Sequence, residues 1–104
     1  MARKIYSTGN RDDNEPAILE RLKLRNIHYV QLQPGAGADL VVSISPMEYW
    51  EIKNPSQPTS KKKLTKAEKE LLQYCKDNRI PFVVIETPED ADVRLDKWIE
   101  RQSW

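Results

Sequence analysis

Four residues of this chain combine chemical type and spacing in a way that suits work on a phosphate ester: Glu15, Asp39, Glu51 and Lys53. Glu51 and Lys53 stand two apart in "MEYWEIKN", residues 47–54. A strand there puts both on one face, because side chains repeat every second residue. Asp39 opens the run "DLVVSIS", directly after the turn sequence "PGAGA". If 39–45 and 47–53 pair as a hairpin, Asp39 reaches its far end, close to Glu51 or Lys53. Glu15 falls in the first turn of a helical stretch that must pack on this sheet. Carboxylates held a few ångströms apart repel each other unless a cation lies between them. Mg²⁺ is suited to that place, since it takes oxygen ligands and keeps waters for substrate. A lysine beside such an ion orients a water or stabilises charge built up in the transition state. Together the four describe phosphodiester hydrolysis by a metal-bound water. Each also has a plainer use. Glu51 and Lys53 suit a surface ion pair, Asp39 a turn, and Glu15 the favourable field at a helix start.

The elements that must position these groups can be read along the chain. "MARKIYSTGNR" has no period and is basic, so residues 1–10 read as a loose arm and 11–104 as a single domain. In "DDNEPAILERLKLRNI" Asp12 or Asp13 caps a helix, Pro16 is tolerated near its start, and Ile18, Leu19 and Leu22 form its apolar stripe. "HYVQLQ" alternates as a half-buried strand with His28, Val30 and Leu32 on its apolar side. The hairpin follows, then a polar loop, "NPSQPTSKKK". Thr65 and Glu68 make a capping box for a helix with Leu71, Leu72 and Cys75 inward. "IPFVVIET" reads as a strand buried on both faces. Thr87 caps a last helix with Ala91, Leu95, Trp98 and Ile99 on its apolar side. The expected order is α-β-β-β-α-β-α, a mixed sheet flanked by helices.

Composition narrows the partners. The 104 residues carry a net charge of only +1, but Lys and Arg outnumber Asp and Glu before residue 67 and the balance reverses after it. That asymmetry suits one-sided contact with an anion. The single cysteine, Cys75, forms no disulfide within the chain and has no ligand-spaced Cys or His for a structural zinc site. No apolar run approaches the roughly 20 residues of a membrane span, so the expectation is a cytoplasmic protein with no membrane contact.

On these residues the chain resembles the PD-(D/E)xK nuclease superfamily, in the small phage-type branch akin to VRR-NUC and Holliday-junction-resolvase-like endonucleases. That signature is an acid at a strand start followed, one strand later, by (D/E)-x-K; here it is "GADLVV" and then "EIK". Small members add a glutamate on an upstream helix, which "DNEPAILERL" supplies as Glu15. They also add an S…LT segment and a Gln or Glu on the next helix, matched in "SKKKLTKAE" by Ser60, Leu64, Thr65 and Glu68. One departure is Ala38, where a proline is usual before the first acid.

The resemblance implies a restriction-endonuclease-like α/β core and a Mg²⁺-dependent endodeoxyribonuclease, with Mn²⁺ as substitute. It implies catalytic roles for Glu15, Asp39, Glu51 and Lys53, and metal ligation by Asp39, Glu51 and the carbonyl of Ile52. Ser60, Lys61, Lys62 and Lys63 would hold DNA phosphates, although a lysine triplet also suits a solvated loop. Glu68 stands either as an accessory site residue or as a capping residue alone. The expected substrate is branched, nicked or flapped DNA, cut by a symmetric homodimer. The alternatives are a non-cleaving nucleic-acid-binding or assembly module on the same fold, and an unrelated α/β interaction protein.

Overall fold

The computed structural model describes residues 13–56 and 63–102. They form α1 (Glu15–Leu24), β1 (Tyr29–Gln31), β2 (Leu40–Val42), β3 (Glu48–Ile52), α2 (Lys66–Asn78), β4 (Phe82–Ile85) and α3 (Pro88–Gln102). The order is the α-β-β-β-α-β-α read from the sequence. One four-stranded mixed sheet runs β1-β2-β3-β4, antiparallel except for the parallel β3–β4 pair. No helix among the described residues is long and apolar enough to cross a membrane. The arm at residues 1–10 lies outside the described residues.

Side-chain alternation divides the sheet into two faces with different duties. Leu40, Val42, Trp50, Ile52 and Ile85 share one face and pack against Ile18 and Leu22 of α1 and Ala91 and Leu95 of α3. Arg25 bonds both Asp92 (3.0 Å) and Asp96 (2.6 Å), which ties α1 to α3. This core also buries a carboxylate, Glu48, paired with a half-buried arginine. Arg94 clamps Glu48 through three hydrogen bonds of 2.6–3.1 Å, while Trp50 Nε1 donates to the same carboxylate at 3.0 Å. The other face carries Val41, Tyr49, Glu51 and Val84, with α2 on that side, and Lys53 lies beside Glu51.

Helix ends follow local chemistry. Thr65 and Glu68 form the expected capping box. At the end of α1, Asn26 takes φ +59°, with Ile27 N bonded to Leu22 O and Asn26 N to Lys23 O, both at 3.0 Å. That closes the last carbonyls in a Schellman arrangement, which asparagine tolerates better than most residues. Gly37 has φ +99° and lies against α2; a Cβ there would sit 3.0 Å from both Ala67 O and Leu71 Cβ. A residue with no side chain thus lets the β1–β2 turn touch α2 and brings the start of that helix over Asp39.

Four readings need correction. Asp13 does not cap α1, and Asp12 lies outside the described residues. The N-cap is Asn14, whose amide instead reaches across the fold. In the first strand Tyr29 and Gln31, not His28 and Val30, share the core face, because they pair with Val42 and Leu40. His28 is exposed and bonds Ser43 Oγ at 2.8 Å. β4 is an edge strand, not one buried on both faces, and its Val84 is 46% exposed. Ile99 likewise turns outward from α3 and is 41% exposed. An apolar run or stripe records what a segment can bury, but not whether a neighbour covers it.

Candidate active site

The site forms where β2 begins and β3 ends. Register pairs Leu40 with Trp50, and Asp39, the bend residue just before β2, lies near enough for its charge to act on Glu51. The Asp39 backbone is held from both sides: its N–H donates to Trp50 O at 3.0 Å and its carbonyl accepts from Leu32 N at 2.8 Å. Oδ2 of its carboxylate accepts the Ile52 N–H at 2.7 Å. A strand residue points its N–H and C=O to the same side. The Ile52 carbonyl therefore lies on the Asp39 side of β3, away from β4.

Glu51 and Lys53 are both buried. Lys53 Nζ lies 3.3 Å from Glu51 Oε2 and 3.0 Å from Glu68 Oε1, and donates to the Lys63 carbonyl at 3.4 Å. Glu68 Oε1 also accepts the Thr65 N–H at 2.9 Å. Glu68 is thus both half of the α2 capping box and a neighbour of the Glu51–Lys53 pair. The path of the chain makes that link, since the local pattern alone marks Glu68 only as half of a cap and its place near the site was offered by the resemblance.

Electrostatics distribute the protons. Burial, the nearby Asp39 charge and a hydrogen bond with Glu68 push the Glu51 carboxyl up to about 9, against the pull of Lys53. Burial works to raise Glu68 as well, but bonds from the Thr65 N–H, Lys53 and Glu51 bring it below the usual carboxylate range. Burial disfavours the Lys53 ammonium, yet Glu68 and Glu51 outweigh it and hold Lys53 above its ordinary value. At neutral pH the cluster holds a protonated Glu51, an ionised Glu68 and an ammonium at Lys53. Lys53 is therefore a charged donor, not a base.

Glu15 reaches the same end of the sheet from the opposite layer. It is buried, and its Oε2 accepts from Gln31 Nε2 at 2.9 Å, next to the start of β2. Beside it, Asn14 Nδ2 donates to Glu86 O at 2.6 Å and to Lys53 O at 3.2 Å. Asn14 thereby fixes the start of α1 to the ends of β3 and β4. Sequence reasoning missed this clasp and the Gln31 contact, because an asparagine before a helix signals only a cap.

Lys63 is exposed apart from its carbonyl contact, and Ser60, Lys61 and Lys62 lie outside the described residues. Among the described residues, no three or more His, Cys, Asp and Glu side chains are grouped as a ready cage for a metal ion. The donors gathered at the site are two carboxylates and a main-chain carbonyl. Such a set fits a hard cation that keeps several of its own waters. Comparison of the chain with family models, with curated proteins and with solved structures gave no match.

Proposed function

We propose that this chain is a Mg²⁺-dependent DNA endonuclease with a restriction-endonuclease-like core of the PD-(D/E)xK kind. One observation carries the reading: the Asp39 carboxylate, bonded to Ile52 N–H, lies close to the Glu51 carboxyl, with Lys53 held beside Glu51. Two neighbouring carboxyls, one of them kept protonated by burial, suit a site that exchanges a proton for a cation.

In this reading Asp39, Glu51 and the Ile52 carbonyl hold the ion, whose chemistry is to lower the pKa of a bound water and neutralise phosphate oxygens. Glu15, on the first turn of α1, would hold a water at the same end of the sheet. Lys53 keeps its proton and points its ammonium at the attacking water or at the charge growing on the phosphorane. Glu68 orients Lys53 while its helix cap fixes the carboxylate. Lys63, with Ser60, Lys61 and Lys62, would grip backbone phosphates without reading sequence, so selectivity would follow DNA shape. Cutting two strands calls for two sites, hence a symmetric homodimer.

The test is incubation of the purified protein with supercoiled plasmid and with a four-way junction, with and without Mg²⁺ or Mn²⁺. Metal-dependent cleavage that disappears in Asp39→Ala and Lys53→Ala supports the proposal. DNA binding with no cleavage in either metal would replace it with a non-cleaving module on the same fold.

A further inference from the structure

Away from that site, the outer edge of β4 and the overhanging side of α3 form a groove of about 290 Å³. It is lined by the β4 residues Val83, Val84 and Ile85, and by Asp90, Val93, Arg94 and Lys97 of α3. Val93 is 57% exposed in this groove, and Val84, whose side chain lies on the opposite face of the sheet, is 46% exposed at the same strand edge. An edge strand beside such a groove is a template for pairing with another strand.

The backbone restricts what can pair. Tyr49 N bonds Pro81 O and Lys53 N bonds Ile85 O, so the odd-numbered residues of this segment direct their main-chain groups to β3. By alternation Phe82 and Val84 direct theirs outward. Beyond them the edge is closed, because Glu86 N donates to Asp90 Oδ2 at 3.1 Å and Glu86 O accepts from Asn14. An added strand thus has two residues to bond. Antiparallel pairing of Phe82 with Val84 of a second copy, centred on Val83, uses both residues on both chains.

Charge favours the second copy over an unrelated strand. A two-fold axis through the Val83 pair sets the two α3 helices side by side and antiparallel. Asp90, near the start of α3, then lies along the partner helix toward Lys97, two turns further on, and the reverse contact forms by symmetry. Val93 falls between them. The groove is therefore complementary to itself in charge and in apolar content, as an isologous interface requires.

We infer that the β4–α3 groove is a homodimer interface in which two four-stranded sheets join edge to edge through β4. The inference identifies the partner surface for the symmetric dimer of the nuclease reading, but it stands on the groove alone. An axis perpendicular to the sheet leaves both Asp39–Glu51 sites on one common face.

Sedimentation equilibrium of the full chain over a range of concentrations tests this without reference to cleavage. Wild type is expected to dimerise. Val93→Lys, at an exposed helix position, is expected to sediment as a monomer where wild type is a dimer. Lys97→Glu, which sets like charges against Asp90, should raise the dimer dissociation constant at least about tenfold. Val30→Lys, on the opposite edge of the sheet, should leave association unchanged. A wild-type monomer at all concentrations overturns the inference, as does a dimer that survives both α3 variants or is lost in Val30→Lys. Circular dichroism of each variant shows that a change in mass is not unfolding.

Discussion

At the residue scale the site depends on the protonation of Glu51. Its folded pKa, about 9, stands above the ordinary carboxylate value of 4.5. Between those limits the folded protein holds a proton that the unfolded chain releases. The Glu51 contribution to stability is therefore fully present below about pH 4.5 and is lost as pH rises through 9. Glu51→Gln keeps the shape and removes the titration. It is expected to stabilise the metal-free protein by about 1–3 kcal/mol at neutral pH, and to flatten the fall of melting temperature between pH 6 and 9. Thermal unfolding across that range checks it; an unchanged pH slope would mean that Glu51 is already ionised. Lys53 has the opposite sensitivity. Lys53→Met removes the ammonium and leaves the half-buried Glu68 without a principal partner, so it should abolish metal-dependent cleavage and cost about 1–3 kcal/mol in stability.

At the scale of elements, the start of α2 links a helix cap to the site. Thr65→Ala removes the hydroxyl that accepts from Glu68 N at 3.2 Å and should cost about 1 kcal/mol. If Glu68 orients Lys53, the same change should also lower the cleavage rate more than substrate affinity, a split that helix fraying alone at another end would not give. The other end of α2 supplies that comparison. Arg79, the C-cap of that helix, has φ +59°, a conformation that favours glycine. Arg79→Gly is expected to stabilise the fold by about 1 kcal/mol and to leave cleavage unaffected, as urea denaturation and plasmid assays would show. These elements were legible in the sequence because their signals are local: a capping box, a glycine turn, a hairpin with alternating side chains. The Asn14 clasp was not legible, since its partners, Lys53 O and Glu86 O, are distant in the chain.

At the scale of the whole molecule, the sheet divides labour between its faces. One face with α1 and α3 is the core, and the other carries Glu51 and Lys53 beside α2, with Asp39 close by at the start of β2. The sequence gives the parity of β3 correctly, because Trp50 and Ile52 alternate with Glu51 and Lys53. It misleads for β1, where alternation reads Val30 as the inward residue, and for β4, whose apolar run conceals an exposed edge. Which strand lies at an edge depends on topology, and no pattern within the strand records it. If two copies join through β4, their sites share one face, and a monomeric Val93→Lys should nick supercoiled plasmid while producing less linear product than wild type. The central claim, that Asp39 and Glu51 hold a divalent cation, is tested most directly by calorimetric titration of Mn²⁺ in buffers of different ionisation enthalpy. The account predicts binding that releases a proton from Glu51 and strengthens as pH rises toward 9, absent in Asp39→Ala and without proton release in Glu51→Gln. Failure of the wild type to bind, or equal binding by Asp39→Ala, would contradict it.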